Sequence, residues 1–471
     1  MSERVELPAG AQRVEADLVC LDGRLRSGQA VLIDADGRVL AAGPDEDVPS
    51  PPGVVRKRYP GVLLPGAVNA HSHAFQILLR GRSDRAADFR DWVDNYMYPL
   101  ALGIDAEEIA LGSRLAFAEM IRNGVTTVGE FFYLHNAPES EGCASRGNAN
   151  ALRVVREGLE VGIRVHLLRC LYDRAERRGQ RRFHESAEEA VAATRQLERE
   201  LADTDAASVS IAPHSLHGAT AEGIVAAAEW AARVDRPFQI HLAEERHDID
   251  YARERYGDTP GRVLQDLGVV SERLCVVHGV WLDAEEIALL GEAGAKLAYN
   301  PISNMALGDG ITDIESMIRA GVTVGLGCDG PCANHQVNVW QEMRFAEWLQ
   351  RVDKLRMNVV QAVAGHLTRG PNYCFEMGTR NGGEVLGLPV GEIAPGNWAD
   401  MVVVDPLDLS LLPHRGHDPE TLLNNVVHSM AVRGAVRTVL VAGQEVLSDG
   451  RLTGIDEEEL AHRTARWAIP A

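Results

Sequence analysis

No two cysteines in this chain have the Cys-x-x-Cys spacing, and the seven present (20, 143, 170, 275, 328, 332 and 374) are scattered. An odd, scattered set excludes a disulfide framework and a cysteine-based zinc site, and it fits a reducing compartment. No apolar run reaches the roughly 18–20 residues that span a bilayer. The opening Met1-Ser2-Glu3-Arg4-Val5-Glu6 lacks the basic-then-apolar order of a signal peptide. The expectation is a cytoplasmic protein with no membrane partner. An excess of base is missing as well. Lys and Arg number 47 against 68 Asp and Glu, a formal charge of −21 with a pI near 5.2. That balance keeps a protein soluble and excludes nucleic acid, which selects basic surfaces.

What is present is length and pattern. A chain of 471 residues suits one large catalytic domain and one smaller one. Residues 1–64 read as short strands and turns. Ala30 to Leu40 forms two apolar runs around Asp36-Gly37, a hairpin signal. From Pro65 the pattern changes to short apolar strands alternating with long amphipathic stretches. The strands are Gly124–Val128, Arg164–Leu168, Val209–Ala212, Phe238–His241, Leu274–Val277, Lys296–Tyr299 and Val322–Leu326. Strand–helix units of this length imply a parallel sheet, and about eight of them imply a closed (β/α)₈ TIM barrel. After Gly382 short strands return at Met401–Asp405, Val426-Val427-His428 and Thr438–Val441. Residues 1–64 and 376–471 are therefore expected to build one small β-sandwich flanking a barrel of residues 65–375. The Arg-rich stretch 177–182 reads as a solvated loop.

Barrel enzymes carry their chemistry at the C-terminal ends of the strands. His71 and His73 follow Val68-Asn69-Ala70, and residues i and i+2 of a strand point the same way, so both imidazoles can face one point inside the barrel. His241, His278 and Asp329 each end a later apolar strand. Three neutral imidazoles and a carboxylate from this set, with room for water, make a zinc or ferrous site. Such a metal lowers the pKa of water toward neutrality and supplies a nucleophile.

The stretch Leu64-Pro65-Gly66-Ala67-Val68-Asn69-Ala70-His71-Ser72-His73, together with His241-Leu242-Ala243-Glu244, His278, Asn300-Pro301-Ile302-Ser303-Asn304 and Gly327-Cys328-Asp329-Gly330, resembles the amidohydrolase superfamily. Within it the chain looks like the mononuclear deaminase and chlorohydrolase branch. The late Gly391–Asp400 stretch extends the likeness over nearly the whole chain. The resemblance implies that His71, His73, His241 and Asp329 hold one divalent metal, with zinc expected and Fe²⁺ as the alternative. It implies that Glu244 shuttles the proton and that His278 orients water or the transition state, with Asp329 beside it. Binuclear relatives bridge their metals with a carboxylated lysine. Here the fourth strand leads to Pro213 and His214, which favours one metal.

A narrower likeness points to formimidoylglutamate deiminases, carried by His73-Ala74-Phe75-Gln76, Glu130-Phe131-Phe132-Tyr133, Gly179–Phe183, His214-Ser215-Leu216 and Leu307–Ile311. It implies substrate contact by Gln76, Tyr133 and His214. That family has an arginine three residues after the fourth-strand histidine, suited to clamping a carboxylate. This chain has His217 there, a candidate substrate contact of a different kind. A second family arginine is replaced by Val93 or Asp94. The expected function is metal-dependent hydrolytic deamination or deimination of a small molecule, a formimino or amidine compound or an amino-heterocycle. Displacement of halide or an amide nitrogen is the alternative. Related barrels also pair, so a homodimer is allowed.

Overall fold

The computed structural model describes residues 10–50, 52–414, 418–430 and 432–467. Eight parallel strands form the barrel: β1 (Ala67–Ser72), β2 (Val125–Phe132), β3 (Arg164–Leu171), β4 (Ala207–Pro213), β5 (Phe238–Leu242), β6 (Leu274–His278), β7 (Lys296–Tyr299) and β8 (Thr323–Leu326). They pair in two parallel runs, β1 to β4 and β5 to β8. Both seams close at the strand ends that carry the candidate residues. Ser72 bridges Asp329, and the His241 amide donates to the His214 carbonyl at 3.0 Å.

The strands are near-continuous apolar runs because both faces are covered; every residue of β2 and β3 is buried. Three of the helices between them start where the sequence supplies an N-cap and a glutamate three residues on. Asp105 with Glu108, Ser186 with Glu189 and Asp283 with Glu286 each form a complete capping box.

The two chain ends build the β-sandwich domain. Eight of its nine described strands run in one mixed hydrogen-bonded order, in which the late strand Met401–Val404 lies antiparallel to Val55–Pro65; the ninth, Arg24–Arg26, pairs to the side with Gln12–Leu21. The expected Asp-Gly hairpin pairs Gln29–Ile33 with Val39–Pro44. Val55–Pro65 runs through Gly66 straight into β1, and a β-carbon at Gly66 would sit 2.0 Å from Thr126 Oγ1. The Gly391–Asp400 stretch docks the sandwich on the barrel. Asp400 and Arg164 form a buried ion pair at 2.8 Å, and Trp398 lies under the guanidinium groups of Arg38 and Arg164.

Two expectations are corrected. Val426-Val427-His428 is not a strand but the end of a helix, Pro419–His428. Asp418 caps it, Pro419 occupies its first turn, and Leu422, Leu423, Val426 and Val427 form its buried face, a helical period that three residues alone could not reveal. The 177–182 stretch is solvated only in part: Arg177, Arg178 and Arg181 are exposed, while Gly179, Gln180 and Arg182 are buried. Arg178–Arg182 is a 3₁₀ turn, and the fully buried Arg182 guanidinium donates to the carbonyls of Asn136 and Ile104.

Candidate metal centre and active site

His71 is the fifth residue of β1 and His73 lies just past its end; His241 is on β5. Their Nε2 atoms converge. His71 Nε2 lies 3.2 Å from His73 Nε2 and 3.2 Å from His241 Nε2. Asp329 Oδ1 lies 3.6 Å from the first and 3.4 Å from the second. Glycine makes the approach possible: a β-carbon at Gly327 would come within 2.9 Å of the His71 β-carbon.

The outer nitrogens fix which atoms face inward. His73 Nδ1 donates to the Phe131 carbonyl at 2.8 Å, and His241 Nδ1 donates to the His214 carbonyl at 2.9 Å. His71 Nδ1 lies 3.0 Å from Gln239 Oε1. A proton on each Nδ1 leaves a lone pair on each Nε2. The His71 lone pair, 3.2 Å from that of His73 and 3.2 Å from that of His241, can bond neither, but the arrangement suits a cation beside it: tetrahedral zinc at about 2.0–2.1 Å from nitrogen spaces its donors by about 3.3 Å. Burial, then the His71 neighbour, lowers the pKa of His73 to about 3, and burial, then His71, pushes that of His241 well down, so both are neutral donors. Burial opposes ionisation of Asp329, yet the adjacent His71, with His73 and His278, holds its carboxyl well below the usual range. Its Oδ2 accepts from the Ser303 hydroxyl, which leaves Oδ1 for the centre.

His278 ends β6 at a left-handed φ of +68°, with its carbonyl held by the Thr312 hydroxyl at 2.9 Å. It is within reach of His71 and His241 and is geometrically a rival ligand to His73. Its hydrogen bonds argue otherwise. Asn304 Nδ2 lies 2.9 Å from His278 Nδ1, and the same amide donates to Asp309 Oδ2 at 2.9 Å. An acceptor at Nδ1 leaves the proton on Nε2, which faces Glu244 Oε1 at 3.3 Å. His278 is thus a donor where the other three are acceptors. Burial lowers its pKa to about 4. Burial, reinforced by Asp309, Asp329, Asp248 and Glu245, raises that of Glu244 well above a carboxylate's usual value, suiting a group that holds and releases a proton. Asp248 supports this loop by accepting the Glu244 and Glu245 amides at 2.9 and 3.2 Å.

His73, His241, Glu244, His278 and Asp329 line a cavity of about 670 Å³ whose walls include Phe89, Trp92, Tyr98, Tyr133, Tyr172 and Phe183, a volume suited to a small-molecule ligand. Gln76, Tyr133, His214 and His217 all line it. Gln76 donates to the Tyr133 hydroxyl at 2.7 Å, and its other end accepts from the Cys332 thiol at 3.3 Å. The His214 ring lies tilted against Tyr172, centroids 4.7 Å apart. His217 does not point freely at the cavity, because its Nδ1 lies 3.4 Å from Asp248. Asp94 is paired with Arg177 at the rim. Sequence reasoning missed Gln239 and Asp248, and gave Ser303, Asn304 and Asp309 no role. Gln239 was findable, since it lies two residues before His241 and so on the same strand face.

The amidohydrolase family pattern matches residues 62–446. The chain belongs to the amidohydrolase family. A 5-methylthioadenosine/S-adenosylhomocysteine deaminase of Pyrococcus abyssi is 30% identical over 403 residues, 85% of this chain and 85% of that one. A 5'-deoxyadenosine deaminase of Methanosphaera stadtmanae is 28% identical over 84% of this chain and 85% of its own. The zinc-bound crystal structure of an adenosine deaminase from Xanthomonas campestris superposes with a TM-score of 0.83 at 25% identity, covering 97% of each chain. The amidohydrolase is a hydrolase acting on C–N bonds other than peptide bonds, and its donor set and zinc-bound neighbour agree on a divalent metal, zinc. No helix among the described residues is long and apolar enough to cross a membrane.

Proposed function

We propose that this amidohydrolase is a zinc-dependent deaminase that hydrolyses the exocyclic amino group of an amino-heterocycle, in the first place a 6-aminopurine nucleoside. The observation that carries the reading is the Glu244–His278 pair standing beside His71, around which His73, His241 and Asp329 gather, at an aromatic-walled cavity. Stacking walls suit a flat heterocycle, and the two relatives above are named as deaminases of adenosine compounds. His217, engaged with Asp248, offers no bidentate clamp for a carboxylate.

His71, His73, His241 and Asp329 would hold the metal. When bound, the metal lowers the pKa of water toward neutrality and makes it a nucleophile for the sp² carbon. Glu244 takes the proton that water gives up and delivers it to the ring nitrogen of the C=N bond. The Nε2–H of His278 orients the attacking water. The remaining proton of that water, on the hydroxyl now joined to the carbon, passes by way of Glu244 to the amino group, so that the C–N bond breaks and ammonia leaves as the C=O bond forms. Asp309 and Asn304 hold His278 in the tautomer this needs. A formimino or amidine substrate is the second reading, favoured by the Gln76–Tyr133 pair built from the likeness to formimidoylglutamate deiminases.

The test is ammonia or chloride release by the zinc-loaded protein from adenosine, 5'-deoxyadenosine, 5'-methylthioadenosine, formimino amino acids and chlorinated aminotriazines. Turnover of a purine nucleoside supports the reading. Turnover confined to the formimino compounds transfers it to the second, and chloride release without ammonia overturns both.

A further inference from the structure

The three histidines of the centre differ in what holds them. His73 and His241 lean on backbone carbonyls, which no substitution removes. His71, wholly buried, leans on a side chain, Gln239, itself only 1% exposed.

The Gln239 amide has one orientation. Its Nε2 lies 2.9 Å from the Ala70 carbonyl, which can only accept. Its Oε1 therefore faces His71, and an oxygen there requires the His71 proton on Nδ1. That leaves the Nε2 lone pair aimed at His73, His241 and Asp329. Gln239 lies on β5 and grips β1, the opposite wall of the barrel, at both Ala70 and His71. Without it, the buried Nδ1 would lack an acceptor, and the tautomer with its proton on Nε2 would turn a metal donor into a group that repels the cation.

We infer that Gln239 is a positioning residue for the metal centre, locking the tautomer and ring plane of His71 from across the barrel. It does not touch substrate. The inference rests on reading His71 as a metal ligand, and it extends that reading to a residue no motif includes.

Zinc affinity of the full chain, read by competition with a chromophoric chelator, tests it. Gln239→Leu keeps the side chain's bulk, removes the acceptor, and should weaken zinc roughly 10–100-fold, the usual cost of losing a partner behind a metal-bound histidine. Gln239→Glu restores the acceptor and should bind zinc within a fewfold of the wild type. In histidine-¹⁵N spectra of the zinc-loaded protein, the Nδ1–H signal of His71 should be present in the wild type and the Glu variant and lost or moved in the Leu variant. Equal zinc affinity in wild type and Gln239→Leu overturns the inference. So does a folded Gln239→Glu that binds no better than the Leu variant. Should the Leu variant fail to fold, Gln239→Glu decides alone: a loss of tenfold or more in zinc affinity refutes the acceptor role. A wild type that binds zinc but releases no ammonia from any compound overturns the proposed function and leaves the role of Gln239 intact.

Discussion

His278 Nε2 and Glu244 Oε1 face each other across 3.3 Å, one as donor and one as acceptor, beside the four metal donors. Glu244→Gln keeps the size and the hydrogen bond but cannot carry a proton. It should retain its zinc and lose about 10²–10⁴ in kcat, the usual contribution of a general acid–base group. Metal content and turnover measured on one sample check this. Turnover near the wild-type rate would remove Glu244 from the reaction.

Asp329 supplies the only negative charge among the four proposed ligands, with one oxygen taken by Ser303 and the other facing the imidazoles. The wild type should hold one zinc per chain, lose activity to a chelator and regain it with added zinc. Asp329→Asn should lose most of its metal on dialysis while keeping its helical circular dichroism. Two metals per wild-type chain would contradict a mononuclear site.

Most of this was legible because a barrel converts sequence order into geometry. Each parallel strand is an apolar run covered on both sides, so the residue that breaks the run marks the catalytic end. His71, His73, His241, His278 and Asp329 are such residues. What sequence could not separate was His278 from the other histidines on physical grounds, because that depends on whether Nδ1 meets a carbonyl or an amide nitrogen. Only the folded positions of Asn304 and of the Phe131 and His214 carbonyls settle it. Arg182 was hidden for the same reason: an arginine in a basic run gives no sign that two carbonyls await it inside. Val426-Val427 fits a strand and a helix face equally well until Asp418 and Pro419 are seen to start a helix.

The Tyr133 hydroxyl accepts from Gln76 and stands on the cavity wall beside His214. No hydrogen bond from its own proton to a described residue is seen, and burial pushes its pKa well up, so it stays a donor at neutral pH. Tyr133→Phe should raise KM about 2–10-fold, the worth of one neutral hydrogen bond, with kcat changed less. Unchanged KM for the best substrate would assign Tyr133 to packing, where it meets Phe75 and Phe183.

Acid should weaken the fold through a histidine remote from the metal. His166 on β3 is buried between the hydroxyls of Ser208 and Ser210, at 2.8 and 3.1 Å. Burial, aided by the Arg236 cation, lowers its pKa to about 3, against about 6.5 in an unfolded chain. The lowered value sets the sign. Above pH 6.5 neither state binds the proton and the histidine costs nothing. Between about pH 6.5 and 3 only the unfolded chain binds it, so stability falls with pH by up to about 1.4 kcal/mol per unit. His166→Gln can still bond both serines and carries no titrating proton. Denaturant midpoints of the zinc-free protein at pH 7, 6 and 5 should fall more steeply for the wild type than for this variant, with the gap opening below pH 6.5. Parallel lines for the two proteins would mean that His166 is protonated in the folded state as readily as in the unfolded one, and that Ser208 and Ser210 accept rather than donate.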